Sequence, residues 1–112
     1  MLEPTVISNL IGGGWRELTF EPFKPGITIH WLLTGEPAVA LLKYVPGAAA
    51  PLHLHQDVET ILMLHGAQSD DHGTYTAGDY IINPKDSQHR VWSDHGCVAL
   101  LQWTKPVRFL DC

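Results

Sequence analysis

Cysteine is close to missing from this chain. Cys97 and Cys112 are the two thiols among 112 residues, too few and too poorly spaced for a disulfide framework or a thiolate zinc site. Any metal is therefore expected on nitrogen and oxygen ligands. Basic residues are scarce as well: 7 Lys plus Arg stand against 12 Asp plus Glu, for a formal charge of −5. They are scattered, which argues against nucleic acid as a partner. No stretch approaches the roughly 20 apolar residues of a spanning helix, so no membrane insertion is expected. The opening MLEPTVISNL has no Lys or Arg and no apolar run ending in a small-residue cleavage pattern, so a cytoplasmic location is expected. Sustained helical periodicity is also lacking, because Pro or Gly interrupts every candidate before three turns. Internal repeats and low-complexity tracts are absent from the sequence.

Glycine, proline and histidine are plentiful. Ten glycines and eight prolines punctuate segments rich in Val, Ile, Leu, Thr, Tyr and Trp, which is the rhythm of an all-β protein. The segments expected as strands are 15–20, 27–33, 39–45, 52–55, 60–64, 73–76, 80–83, 89–93, 98–104 and 107–110. A chain of this length makes one domain, here 1–112 with a core over about 27–104. Short antiparallel strands hide their edges by closure or by sheet packing, so a double-sheet roll or small barrel is expected. Residues 1–26 mix a glycine run with aromatics. They are expected to extend a sheet in a homodimer, the alternative being that they cover one end of their own barrel.

Seven histidines are many for this length. In GAAAPLHLHQDVETILMLHG (47–66), His53 and His55 alternate with Leu52 and Leu54, so in an extended strand both imidazoles leave one face and the leucines the other. Glu59 shares their parity, and a β-hairpin over this stretch would bring it alongside. His89 follows the punctuated segment GDYIINPKDSQH, at a distance that suits a neighbouring strand. His53, His55, Glu59 and His89 are thus the candidate ligands of one divalent transition metal: Fe, Zn, Mn, Ni or Co rather than Ca or Mg. Against this stands the ordinary occurrence of alternating histidines on half-buried polar strand faces. His30 and Tyr44 are candidate pocket residues, each with a packed core role as its alternative. His65 is expected at a strand end near water, and His72 and His95 in turns. Trp92, Trp103 and Cys97 are read as structural.

These residues carry a family resemblance. Gly47, five residues, His53-x-His55, three residues, Glu59, six residues and Gly66 resemble the first cupin motif at every position. Gly78, five residues, Pro84 and then His89 resemble the second, with Asp86 where the family usually has glycine and Ser93 where it often has asparagine. The runs Asp71-His72-Gly73-Thr74-Tyr75, Gly78-Asp79-Tyr80 and Gly96-Cys97 look like ChrR-type cupins, over roughly residues 15–110.

The resemblance implies a double-stranded β-helix, the jelly-roll-like cupin barrel. It also implies kinship with the cupin domain of zinc-dependent anti-sigma factors and with dioxygenases that cleave diketones and hydroxylated acetophenones. Those anti-sigma factors hold their sigma factor through a helical zinc-binding domain ahead of the cupin. These 112 residues contain no such stretch, so anti-sigma activity is not expected to carry over. The expected function is a metal-dependent oxidoreductase of the dioxygenase type, acting on a small diketone, hydroxyketone or aromatic ketone. The alternatives are a zinc cupin with a structural or sensing role, and a metal-dependent isomerase or lyase.

Overall fold

The computed structural model describes residues 2–110. Ten strands follow one 3-10 turn at Gly14–Glu17: β1 (Glu21–Lys24), β2 (Ile27–Leu33), β3 (Ala38–Tyr44), β4 (Ala49–Leu54), β5 (Glu59–Asp70), β6 (Gly73–Thr76), β7 (Tyr80–Asn83), β8 (Gln88–Trp92), β9 (Cys97–Trp103) and β10 (Arg108–Phe109). Among the described residues there is no α-helix, and no helix long and apolar enough to cross a membrane.

The strands form two facing layers. One orders β1, β2, β3, β9 and β5, with β7 beyond; the other holds β10, β4, β8 and the far half of β5, with β6 beside it. All pairings are antiparallel. This is the double-stranded β-helix expected from the motifs.

β5 belongs to both layers, which its 12 residues allow. Its register against β9 slips between Met63 and His65, a bulge that bends the strand and inverts which side chains point inward. Glu59, Ile61 and Met63 are buried before the bulge, whereas Gln68 and Asp70 are buried after it and His65 is exposed. Gly66 follows the bulge at φ 72° and passes so near the Gly96 carbonyl that a Cβ would sit 2.2 Å from it. No other residue type fits that crossing.

Between the layers lie Ile27, Ile29, Leu42, Tyr44, Ile61, Met63, Val91, Leu101 and Trp103. Burying a side chain of the Ile or Leu kind stabilises the fold by roughly 1.5–3 kcal/mol. Ala40, Ala50 and Ala99 face the same interior, and their small volume leaves room for buried imidazoles.

Two expectations for the organisation are corrected. The strand expected at 15–20 is instead the 3-10 turn, with Trp15 buried against Leu41, Leu64 and Val98 on the outer face of the first layer. That face would otherwise expose an apolar stripe, so tertiary burial overrides the β preference of the segment. Leu10, Leu18 and Phe20 pack on the same cluster, and β1 pairs with β2 of its own chain. Residues 10–24 thus cover their own sheet.

The second correction concerns the hairpin expected over 47–66. β4 and β5 do not pair; β4 lies between β8 and β10. The chain crosses from one layer to the other between His55 and Glu59. Their shared parity across that turn therefore carried no geometric information, although both residues do face the interior.

Candidate metal centre

His53 on β4 and His89 on β8 are cross-strand partners, and their rings lie 4.7 Å apart. His55 leaves the end of β4 on the same face, its ring 5.2 Å from that of His53 and 4.7 Å from that of His89. The turn after Pro84 holds it there: His55 N donates to the Ser87 carbonyl at 2.8 Å, and Asp86 N donates to the His55 carbonyl at 2.9 Å. Asp86 adopts φ 72°, the left-handed conformation that explains glycine as the usual residue at this position of the motif. Glu59 faces the three imidazoles from the opposite layer. One ligand atom from each of His53, His55, Glu59 and His89 lies within 4.8 Å of the others, and all four residues are buried.

The protonation pattern suits a cation. His53 Nδ1–H donates to the Pro51 carbonyl at 2.8 Å, and His89 Nδ1–H donates to Asp70 Oδ2 at 3.0 Å. Ser87 Oγ spends its own hydrogen on the Pro84 carbonyl, so it accepts from His55 Nδ1–H at 2.9 Å. With each proton on Nδ1, every Nε2 carries a free lone pair, the form in which imidazole binds metal. His55 Nε2 and His89 Nε2 are buried without a hydrogen-bond partner. Leaving such an atom unsatisfied costs about 1–3 kcal/mol. His55 Nε2 lies 3.1 Å from Glu59 Oε1, but outside hydrogen-bond geometry.

A divalent cation would satisfy these atoms. Two ligands at about 2.1 Å from one ion sit at most about 4.2 Å apart, so the cluster needs only a small contraction to bind. The donor set of three imidazoles and one carboxylate fits Zn, Fe, Mn, Ni or Co.

Burial and neighbouring groups shift both His53 and Glu59. Burial pushes the His53 imidazole down from its ordinary range, outweighing the Pro51 carbonyl and the Glu59 charge. For Glu59, burial alone pushes the carboxyl up, but His55 and His53 in their protonated form, together with the Asn83 amide, outweigh it and hold the carboxyl below its usual range. Its two oxygens are also engaged: Oε1 accepts from Asn83 Nδ2 at 2.9 Å and Oε2 from Trp103 Nε1 at 2.5 Å. Asp70 behaves alike, burial being outweighed by the His72 N–H, His89 and Tyr75.

His53, Glu59 and His89 line a chamber of ≈ 30 Å³ together with Tyr44, Gln68 and the apolar side chains of Leu42, Ile61, Val91 and Leu101. Burial drives the Tyr44 phenol far above its ordinary pKa, so it stays protonated and can donate a hydrogen bond. His30 is a correction. The inward residues of β2 are Ile27 and Ile29, which puts His30 on the outer face, where it bonds the Thr19 carbonyl at 2.7 Å and packs near Phe20. His65 is exposed beside the Trp15 ring, and His72 and His95 are exposed in turns. Cys97 is a buried thiol whose pKa burial raises, and Cys112 lies outside the described residues.

Sequence reasoning missed the residues that support the ligands. Asp70, Gln68, Asn83 and Ser87 were not singled out, and Trp103 was read as packing alone. Constant strand parity would place Gln68 and Asp70 outside; the bulge turns them in. One available signal was the Asp-Asp-His-Gly turn. Asp70 Oδ1 accepts from the N–H groups of His72 and Gly73, the bonding typical of an aspartate at a turn.

Fold and donor set define a cupin with a candidate metal site. Residues 12–107 match the family model described as the ChrR cupin-like domain, and the chain belongs to that family. It is 29% identical over 109 residues to the anti-sigma-E factor ChrR of Cereibacter sphaeroides, a match covering 95% of this chain and 51% of that protein. The chain thus spans about half the length of this curated relative. Among solved structures, the Rhodobacter sphaeroides complex of SigE with anti-sigma ChrR superposes with a TM-score of 0.77 at 26% identity, covering 89% of this chain and 57% of the other. An acetylacetone dioxygenase from Acinetobacter johnsonii superposes at 0.79 with 16% identity, covering 99% and 78% respectively. At that identity the second likeness shows the fold alone.

Proposed function

We propose that His53, His55, Glu59 and His89 bind one divalent transition metal and that this centre serves a dioxygenase-type oxidoreductase acting on a small diketone, hydroxyketone or aromatic ketone. The observation that carries the reading is the set of buried lone pairs, those of His55 and His89 without partners, with His53, Glu59 and His89 lining a chamber. A redox-active cation such as iron(II) would supply open positions for dioxygen and for a chelating carbonyl compound.

The protein's own part is to hold the ligands and to wall the chamber. Pro51, Ser87 and Asp70 fix the imidazoles, while Asn83 and Trp103 fix the carboxylate. Leu42, Ile61, Val91 and Leu101 give the chamber an apolar wall. Tyr44 offers a protonated phenol, and Gln68 an amide, to a polar group bound there.

A second reading is favoured by the small chamber of ≈ 30 Å³ and by the likeness to an anti-sigma factor: a closed zinc site that stabilises the fold or senses a small molecule. Elemental analysis of protein purified without chelators or affinity tag, paired with oxygen uptake on acetylacetone after anaerobic iron(II) loading, separates the two. Iron with oxygen consumption supports the dioxygenase. Stoichiometric zinc with no uptake overturns it in favour of the closed site.

We also propose a homodimer, on the strength of β7. This edge strand pairs only with β5 among the described residues and leaves Tyr80 and Ile82 60% and 61% exposed. Light scattering across a dilution series that gives only the monomer mass would refute it.

A further inference from the structure

A recess of ≈ 460 Å³ lies outside the metal chamber, walled by Phe23, Trp31, Trp103, Phe109, Val107 and Ala38. Phe23, Trp103, Val107 and Phe109 line both spaces, so a partition one side chain thick separates recess from chamber. Trp103 joins the two most directly: its indole N–H bonds Glu59, while its ring lies 6.0 Å from that of Trp31 at 55°.

The two spaces suit different chemistry. A chamber of ≈ 30 Å³ has no room for an aromatic ring, whereas the recess falls in the size range of small-molecule pockets, roughly 300–1,000 Å³. Four aromatic side chains on its walls offer ring faces and edges for stacking. The one charged side chain on its lining is Glu36, in a chain of formal charge −5, which disfavours an anion. Trp31 remains 38% exposed, an aromatic wall that a bound ring would cover.

We propose that this recess binds the uncharged aromatic portion of a small-molecule ligand, with an oxygen-bearing end against the partition that faces the metal chamber. The placement of that end rests on the metal reading above. The aromatic site itself does not.

The test uses metal-free, nitrogen-15-labelled protein titrated with acetophenone, following the four tryptophan indole N–H resonances. The expected result is a saturable shift at Trp31 and Trp103, with Trp15 and Trp92 unmoved. Benzoate should bind at least about tenfold more weakly, and Glu36→Lys, at an exposed position, should remove that difference. Trp31→Leu should weaken acetophenone binding by about tenfold or more. Should that variant not fold, the benzoate comparison still decides. Absence of a shift at Trp31, an equal shift at Trp15, or benzoate binding as tight as acetophenone would overturn the proposal. The titration contains no metal, so its failure indicts the recess. Elemental analysis of the chelator-free preparation judges the metal reading separately.

Discussion

The Trp103 indole N–H donates to Glu59 Oε2 at 2.5 Å, across the β5–β9 ladder in which the two residues are direct partners. A buried carboxylate oxygen that loses its donor is left with an uncompensated desolvation cost of about 1–3 kcal/mol. Trp103→Phe is therefore expected to destabilise the protein by at least that amount in urea unfolding. It should also weaken metal binding by about 10- to 100-fold, as loss of a partner that orients a ligand generally does. Unchanged metal affinity would reduce Trp103 to packing.

Removing the proposed ligands themselves should act more sharply. His53→Ala and His89→Ala are expected to abolish stoichiometric metal binding, while His72→Ala and His95→Ala, at exposed turn positions, should leave it intact. Asp70→Asn keeps the size but weakens the acceptor of the His89 Nδ1–H, with a loss of about 10- to 100-fold in affinity expected. Elemental analysis after dialysis checks all five variants, and full metal content in His53→Ala would sink the site assignment.

Metal-free protein should lose stability toward acid in two stages. His53, Glu59 and Asp70 all have folded-state pKa values below their ordinary ones, so below those ordinary values the unfolded chain binds more protons and stability rises with pH. Each contribution is complete above the unfolded pKa and is lost as pH falls through the folded one. The first stage therefore begins below about pH 6.5 with His53, and the second below about pH 4 with the carboxylates. Thermal melts from pH 8 to pH 3 test this; a melting temperature at pH 5.5 equal to that at pH 7.5 would contradict the His53 stage.

Two backbone positions make opposite predictions. Gly66→Ala must clear the Gly96 carbonyl, 2.2 Å from the new Cβ, at φ 72°, and is expected to cost more than the roughly 1–3 kcal/mol of ordinary backbone strain. Because Gly66 follows the bulge that turns Gln68 and Asp70 inward, metal affinity should fall too. Asp86→Gly relieves a left-handed non-glycine residue at φ 72°, so its stability should stay near wild type or rise slightly. Equal destabilisation of both variants in urea would show that the turn needs the Asp86 side chain.

Much of this protein was legible in one dimension. Alternating apolar residues and dense Gly and Pro punctuation dictate short antiparallel strands, because side chains alternate at period two and turns require special backbone angles. On that basis the strands 27–33, 73–76 and 80–83 were expected with the bounds they have. His53 and His55 share a face for the same local reason. Other features depend on which strands meet, and tertiary structure alone decided them. The cross-strand pairing of His53 with His89 depends on β4 lying beside β8 instead of β5. The inward turn of Asp70 depends on a bulge that breaks parity. Trp15 forms a 3-10 turn because an apolar face elsewhere in the chain has to be covered. Local alternation specifies a side chain's direction within one strand, whereas the partners across the core are chosen by the packing of the whole chain.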